Sequence, residues 1–419
     1  MERKYPDLLE RFFTYVKMDT KSDEKNEETP STEKQKRLGE LLVQELKGLG
    51  VKEALMDEHG YVYGRFPGNG AGKIKVGLIA HLDTSPAVSG EGVKPQLIRY
   101  GGGDVVLPGD TSVIIPEDEK LRAFIGKEIV TTDGTTLLGA DDKAGIAAIL
   151  TLLNYLGKNP SLPRPEIRIA FTPDEEIGKG TVKFDLKRFG AEAAYTVDGG
   201  EEGEIEDENF NADSYTAIFR GINVHPGQAK GKMVNSLKAA ALFLSLLPRN
   251  ALSPETTEKR EGFVHPTEIN GNEEKTVVHF ILRDFEESGL LEKKRLLDEL
   301  GGRAAAEFPG SSFEGVVNPS YRNMKVMIDK RPEVLELALK AIEEAGVKPL
   351  RRPIRGGTDG AKLSFLGIPT PNLFTGAHNM HSKREWIGVE SLEKSVDVLV
   401  NLMRLWAEKD NGREVPPRP

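Results

Sequence analysis

The stretch IRIAFTPDEEIGKG, residues 167–180, runs from an apolar strand pattern straight into three consecutive acids. Ile167, Ile169 and Phe171 fall on one face of an extended chain. Asp174, Glu175 and Glu176 repel one another, and acids set beside a core cost several kcal/mol per ion unless positive charge faces them. Other segments carry comparable groups: HLD with His81 and Asp83, GADDKAG with Asp141 and Asp142, TVDGG with Asp198, and AHNMHS with His378 and His381. If these converge, one or two divalent cations are the simplest way to make so many anions tolerable. Histidine and carboxylate donors without cysteine suit Zn²⁺, with Mn²⁺ or Co²⁺ as substitutes.

Each residue type has its own work to do. His81 and Asp83 lie two apart, so they share a side of an extended chain. A ligating imidazole usually donates its other N–H to a carboxylate, which gives Asp83 the task of orienting His81. Taken alone, the same pair also fits a half-buried structural histidine beside a turn. Asp141 stands where a loop enters a helix, and a lone Asp there is accounted for by N-capping worth about 1 kcal/mol. The tandem Asp142 and the following Lys143 are less typical of capping alone. Of the adjacent Glu175 and Glu176, one can bind metal while the other stays uncoordinated and takes a proton from an activated water. A solvated acidic turn is the plain alternative, weakened by the apolar strand and Pro173. Asp198 before two glycines also fits a turn, and His378 and His381 also fit a surface. His59, His265 and His279 receive no role.

These groups need elements to place them. Residues 5–18 and 33–49 have helical apolar spacing, and DDKAGIAAILTLLNYLG reads as a strong helix. Residues 74–80 are apolar on both faces, as in a central strand covered on two sides. PEIRIAFTP, AEAAYTVDGG and PNLFTG read as further strands, and residues 84–133 as loop. In open α/β sheets ligands collect beyond the carboxyl ends of strands, and those ends carry the acids and histidines here. EEGEIEDENFNADS reads as an acidic crossing into a strand–helix–strand–strand–helix–strand insert. The expectation is an α/β sheet flanked by helices, in residues 1–210 and 322–419, with an α+β insert at 211–321. The Pro-rich tail is expected to fray.

With 419 residues, two domains are the first expectation. The net charge of −9 argues against nucleic-acid or anionic-membrane partners. No apolar run is long enough to cross a membrane, and the opening MERKYPDLLERFFTYVKMDT lacks the apolar region of a secretory signal. The absence of cysteine excludes disulfides, thiol nucleophiles and Cys-based zinc sites, and fits a cytoplasmic location. A P-loop fails at both Gly-Lys pairs, and GSSFEG has Glu314 where a nucleophile elbow needs Gly. No dinucleotide fingerprint follows the first strand.

Seven segments, AHLDTS, LLGADDKAGIAAI, FTPDEEIGKG, YTVDGG, NVHPGQAKGKMVNS, RGGTDGAKLSFLGIPTPNLFTG and HSKREW, together resemble a family of di-zinc hydrolases. It includes carboxypeptidase G, aminoacylase and succinyl-diaminopimelate desuccinylase. RGGTDG, the 84–133 segment and NPSYRNM resemble its tripeptide aminopeptidase branch. The resemblance implies a fold of the di-zinc exopeptidase type, with the insert a ferredoxin-like lid through which a homodimer forms. It implies two Zn²⁺ per subunit: one held by His81 and Asp198, a second by Glu176 and His381, with Asp141 bridging both and a cis peptide bond after it. Glu175 then matches a general base acting on a zinc-bridged water, and Asp83 the carboxylate behind His81. His225 and Asn235 of the lid, with Arg283 and Arg355, match positions that bind substrate carboxylate or the developing oxyanion. The implied activity is release of the N-terminal residue from tripeptides. A related dipeptidase, carboxypeptidase or aminoacylase is the alternative, as is a non-catalytic metal- or peptide-binding homologue; an uncoordinated acid at Glu175 argues against the last.

Overall fold

The structure, a computed structural model, describes residues 3–70 and 72–410. Most of the Pro-rich tail lies outside them. Two compact units are present. The larger comprises the described residues up to Asp207, Val326–Arg352 and those from Thr358 onward; the smaller comprises Glu208–Lys325 and Pro353–Gly357.

The larger unit is built on an eight-stranded sheet. Its order is Lys52–Met56, Val62–Phe66, Glu166–Thr172, Lys75–His81, Ala193–Gly199, Asn372–Phe374, Glu204–Glu206 and Leu350–Arg351. The four strands from Glu166–Thr172 to Asn372–Phe374 run parallel to one another, so their carboxyl ends emerge along one edge. His81 pairs with Thr172 at that edge. Behind it, helix Ala140–Lys158 packs on Lys75–His81 and Ala193–Gly199, and is covered by helices Leu8–Val16 and Val389–Asp410. It is buried nearly all round, which is why its sequence is apolar on every face. Gly145 allows the close approach: a Cβ there would overlap the Val197 carbonyl oxygen. Phe12, Leu150, Ile169, Val197, Leu399 and Trp406 belong to the one core formed this way.

Residues 84–133 are not all loop. Gln96–Arg99 and Glu128–Thr131 join Trp386–Gly388 and Ala377–His378 in a second four-stranded sheet. Its packing rests on Tyr100, Leu107, Ile115, Leu121, Phe124 and Trp386. These strands are two to four residues long and partly paired with a distant segment, so local alternation carries too few positions to reveal them.

The smaller unit has a sheet in the order Phe263–Gly271, Lys275–Asp284, Asn211–Arg220 and Ser312–Tyr321, all antiparallel. Helices Ser236–Leu246 and Glu287–Ala306 pack on it over Phe219, Phe243, Phe280 and Leu297. Connection order and strand order are those of a ferredoxin-like fold. Arg355 belongs here rather than to the larger unit. Its guanidinium donates to the Lys259 and Glu261 carbonyls at 2.9 Å each and lies over the rings of Phe210 and Phe263. That anchoring of a detached segment is not encoded in any local pattern.

Candidate metal centre

At the carboxyl edge of the large sheet, His81 Nε2 lies 2.8 Å from Asp141 Oδ1 and 3.4 Å from Asp198 Oδ1. The other Asp141 oxygen, Oδ2, is 3.0 Å from His381 Nε2, which is 2.8 Å from Glu176 Oε2. Two groups of three therefore share Asp141: His81, Asp141 and Asp198, and Asp141, Glu176 and His381. Within each group the donor atoms lie within 4.8 Å of one another. Both histidines present Nε2.

The supports are carboxylates and amides. Asp83 is fully buried, and its side chain faces His81 Nδ1 at 3.4 Å while its carbonyl oxygen does so at 3.0 Å. The same carboxylate accepts from the Glu175 amide at 2.9 Å and the Glu176 amide at 3.2 Å. One side chain thus sets both the imidazole and the acidic turn. Asp142, joined to Asp141 by a cis peptide bond, accepts from the His81 amide at 3.0 Å and the Gly145 amide at 3.2 Å. Asn372 Oδ1 accepts from the Asp198 amide at 3.1 Å. Lys143 is buried, which pushes its ammonium down to about 8, and donates to the Met18 carbonyl at 2.6 Å.

Burial pushes Asp198 up to about 7 and, with the charge of Asp141, Glu176 up to about 8. Glu175 is raised well above the carboxylate range by burial and then by the charge of Asp359. Burial works against Asp141 too, but hydrogen bonds from His381 and His81 hold it below its ordinary value. His381 is raised to about 11 by its hydrogen bonds to Asp141 and Glu176. Protonated imidazoles are thus the counter-charges that the chain itself supplies. Glu176 Oε1 is buried without a hydrogen-bond partner, an acceptor oxygen left for a cation. Two carboxylate–imidazole donor sets without thiolate fit Zn²⁺, Mn²⁺ or Co²⁺.

Other residues stand apart. Asp174, the third acid of the triplet, is a structural anchor: its carboxylate accepts from Ser31 N at 2.7 Å, Ser31 Oγ at 2.5 Å and Gln35 Nε2 at 2.7 Å. His378 is buried, stacks on Trp386 with ring centroids 4.1 Å apart, and is pushed down to about 4 by burial. His225, Asn235, Arg283 and Arg355 all belong to the smaller unit. There the His225 ring accepts from the Gly227 amide, Asn235 caps helix Ser236–Leu246, and Arg283 lies over Tyr321. Three buried residues around the centre escaped the sequence reading: Asn372, Glu385 and Asp359, the last accepting from Thr172 Oγ1 at 2.9 Å. Asp359 in GGTDG and Glu385 in HSKREW were each visible as an acid within a quoted segment, but burial was the missing signal.

The model for peptidase family M20/M25/M40 matches residues 113–405. Peptidase T of Clostridium acetobutylicum is 48% identical over 407 residues, covering 96% of this chain and 100% of the relative. Peptidase T of Desulfitobacterium hafniense is 48% identical over 409 residues, covering 97% and 99%. Among solved structures, aminopeptidase PepT of Bacillus cereus superposes with a TM-score of 0.75 at 24% identity, covering 96% of this chain and 99% of that one. A tripeptidase of Staphylococcus aureus gives 0.75 at 21%, covering 97% and 99%. A dinuclear metal-binding M20 peptidase of Bacillus subtilis gives 0.66 at 14%, covering 96% and 98%. These structural likenesses establish a shared fold, and the family match with near full-length identity establishes that this chain belongs to peptidase family M20/M25/M40.

Proposed function

We propose that this chain is a metal-dependent aminopeptidase that releases the N-terminal residue of tripeptides. The observation that carries the metal reading is the sharing of Asp141 by two donor groups. The substrate class is taken from the relatives named peptidase T. His81, Asp141 and Asp198 would hold one divalent ion and Asp141, Glu176 and His381 a second, with zinc our assignment and manganese or cobalt as substitutes. Bound there, paired cations supply Lewis acidity, lowering the pKa of water and polarising a peptide carbonyl.

The chain's own residues do the rest. Glu175 stays out of both donor groups and is our general base: it takes the proton of the attacking water and returns it to the leaving amine. Its backbone is fixed through Asp83, which also aims His81. Burial beside Asp359 raises its proton affinity above that of an ordinary carboxylate, and the charge of bound cations would lower it again, toward the neutral range a proton shuttle needs. We assign His225, Asn235, Arg283 and Arg355 on the smaller unit to the substrate carboxylate and the developing oxyanion, and read that unit as a lid. Pairing of two copies through it, in the cytoplasm, completes the reading; both outer strands of its sheet leave an edge unpaired among the described residues.

A tripeptide panel with product identification, run on metal-replete protein, is the test. Chelation should abolish release of the N-terminal residue, and zinc, manganese or cobalt should restore it. Glu175→Ala should keep its metal by elemental analysis yet lose at least about 10²–10⁴ in turnover. Undiminished turnover by Glu175→Ala would reject the base, and full activity of a verified metal-free sample would reject the metal mechanism.

A further inference from the structure

The loops that carry Asp141 and His381 are tied together by a side chain outside both donor groups. Glu385 is 1% exposed. One of its oxygens accepts from the Leu138 and Gly139 amides at 2.8 Å each, and the other from the Asp141 amide at 3.1 Å. Those amides belong to the turn that enters helix Ala140–Lys158, where Gly139 takes a left-handed φ of +77°. Glu385 itself closes the loop between the paired strands Ala377–His378 and Trp386–Gly388. His381 rides on that loop with φ +59°, and the loop is cross-tied by Ser382 Oγ to the Asn379 carbonyl at 2.6 Å and by the Glu385 amide to the Ser382 carbonyl at 3.3 Å.

The His381 side chain is 47% exposed, so packing does little to hold its ring. Its place opposite Asp141 Oδ2 is set by where the loop is fixed. His81 and Asp198 do not depend on this loop: they sit at strand ends, and their amides are held by Asp142 and Asn372. We infer that Glu385 is a positioning residue that holds the Asp141 turn and the His381 loop in one frame, so that the ion held by Asp141, Glu176 and His381 depends on it more than the ion held by His81 and Asp198. This rests on the metal reading of the two donor groups.

The test is calorimetric titration of metal-free, full-length protein with Zn²⁺, repeated with Co²⁺ and followed by its visible spectrum. Glu385→Gln keeps the shape but replaces an acceptor oxygen with an NH₂ group, leaving at least one of the three amides facing a donor. The parent should take up two ions, with His381→Ala identifying the step that belongs to the second group. In Glu385→Gln that step should weaken by about 10–100-fold, the usual cost of losing a partner behind a ligand, while the other step changes by less than about threefold. The Co²⁺ spectrum of the second site should change with it, and the melting point of the metal-free protein should not account for the loss. Glu385→Asp, which keeps the charge with a shorter reach, should restore part of the affinity, and it decides the matter if the Gln variant does not fold. Equal weakening of both steps, or none, overturns the inference. A parent that takes up fewer than two ions overturns the underlying metal reading as well.

Discussion

His381 shows what a cation must displace. Its hydrogen bonds to Asp141 and Glu176 raise it to about 11, so near pH 7 the metal-free ring is protonated and faces both carboxylates. Ligation needs neutral imidazole and ionised carboxylate, so uptake of metal must release protons. Titration of Zn²⁺ into metal-free protein, in buffers differing in ionisation enthalpy, should show release of about one proton or more per protein at pH 7, and affinity should fall as pH is lowered. Heats that do not depend on the buffer would contradict this. Glu206 makes a second case away from the donor atoms. Burial, then the charge of Glu204, pushes it up to about 8, while an unfolded Glu titrates near about 4.3. The folded state therefore binds the extra proton between those values. Its contribution to stability is complete below about pH 4.3 and is lost as pH rises through about 8, with a slope of at most about 1.4 kcal/mol per pH unit. Glu206→Gln should flatten urea-derived stability over that window relative to the parent. In the sequence, Glu206 sits in an acidic crossing with no periodicity; it is half-buried because Glu204–Glu206 is a strand and its side chain accepts from Asn372 at 2.7 Å. A run of acids gives no sign of that.

Helix Ala140–Lys158 and strand Ala193–Gly199 meet at Gly145, a few residues after Asp141 on the helix and against Val197, next to Asp198, on the strand. A Cβ at Gly145 would overlap the Val197 carbonyl and the Asp142 side chain, both of them fixed parts of the frame. Gly145→Ala should cost about 1–3 kcal/mol by overpacking, and should weaken zinc binding along with it. Thermal melting and zinc titration of the variant check both; an unaffected zinc affinity would show that the helix start can shift without moving Asp141. This helix was legible in the sequence because nineteen residues carry an apolar pattern with few interruptions, and the parallel strands Lys75–His81, Glu166–Thr172 and Ala193–Gly199 because each is an apolar run with an acid or a histidine at its end or within two residues beyond it. The gathering of His81, Asp141, Glu176, Asp198 and His381 was legible in part for the same reason, since they lie at strand ends, in the loops beyond them or, for Asp141, at a helix start, but singling them out from the other acids and histidines rested on the family resemblance. Short elements were not legible. Trp386–Gly388 is three residues long and pairs with Glu128–Thr131 far away in the chain, and the buried Glu385 just before it is visible only once that sheet exists. Nothing local separates it from the exposed acids of other loops.

The two units have separate cores. Phe12, Leu150 and Trp406 belong to one, and Phe219, Phe243 and Phe280 to the other. Both donor groups lie wholly within the larger unit, at the ends of its own elements. A ligand that binds only the folded state stabilises what it binds by RT ln(1 + [L]/Kd), about 2.7 kcal/mol when the free concentration is a hundred times Kd. Metal should therefore raise the unfolding temperature of the larger unit and leave that of the smaller one alone. The smaller unit has its own means of closure: the 353–357 segment returns to it, fastened by Arg355 to the Lys259 and Glu261 carbonyls. Differential scanning calorimetry of the full chain, with zinc and then with chelator, should give two transitions, of which one shifts. Arg355→Ala should lower the transition that does not respond to zinc, because its side chain touches only groups of the smaller unit among the contacts described. A single transition that moves as a whole with metal would mean that the two cores unfold as one, and that the ions stabilise residues that never touch them.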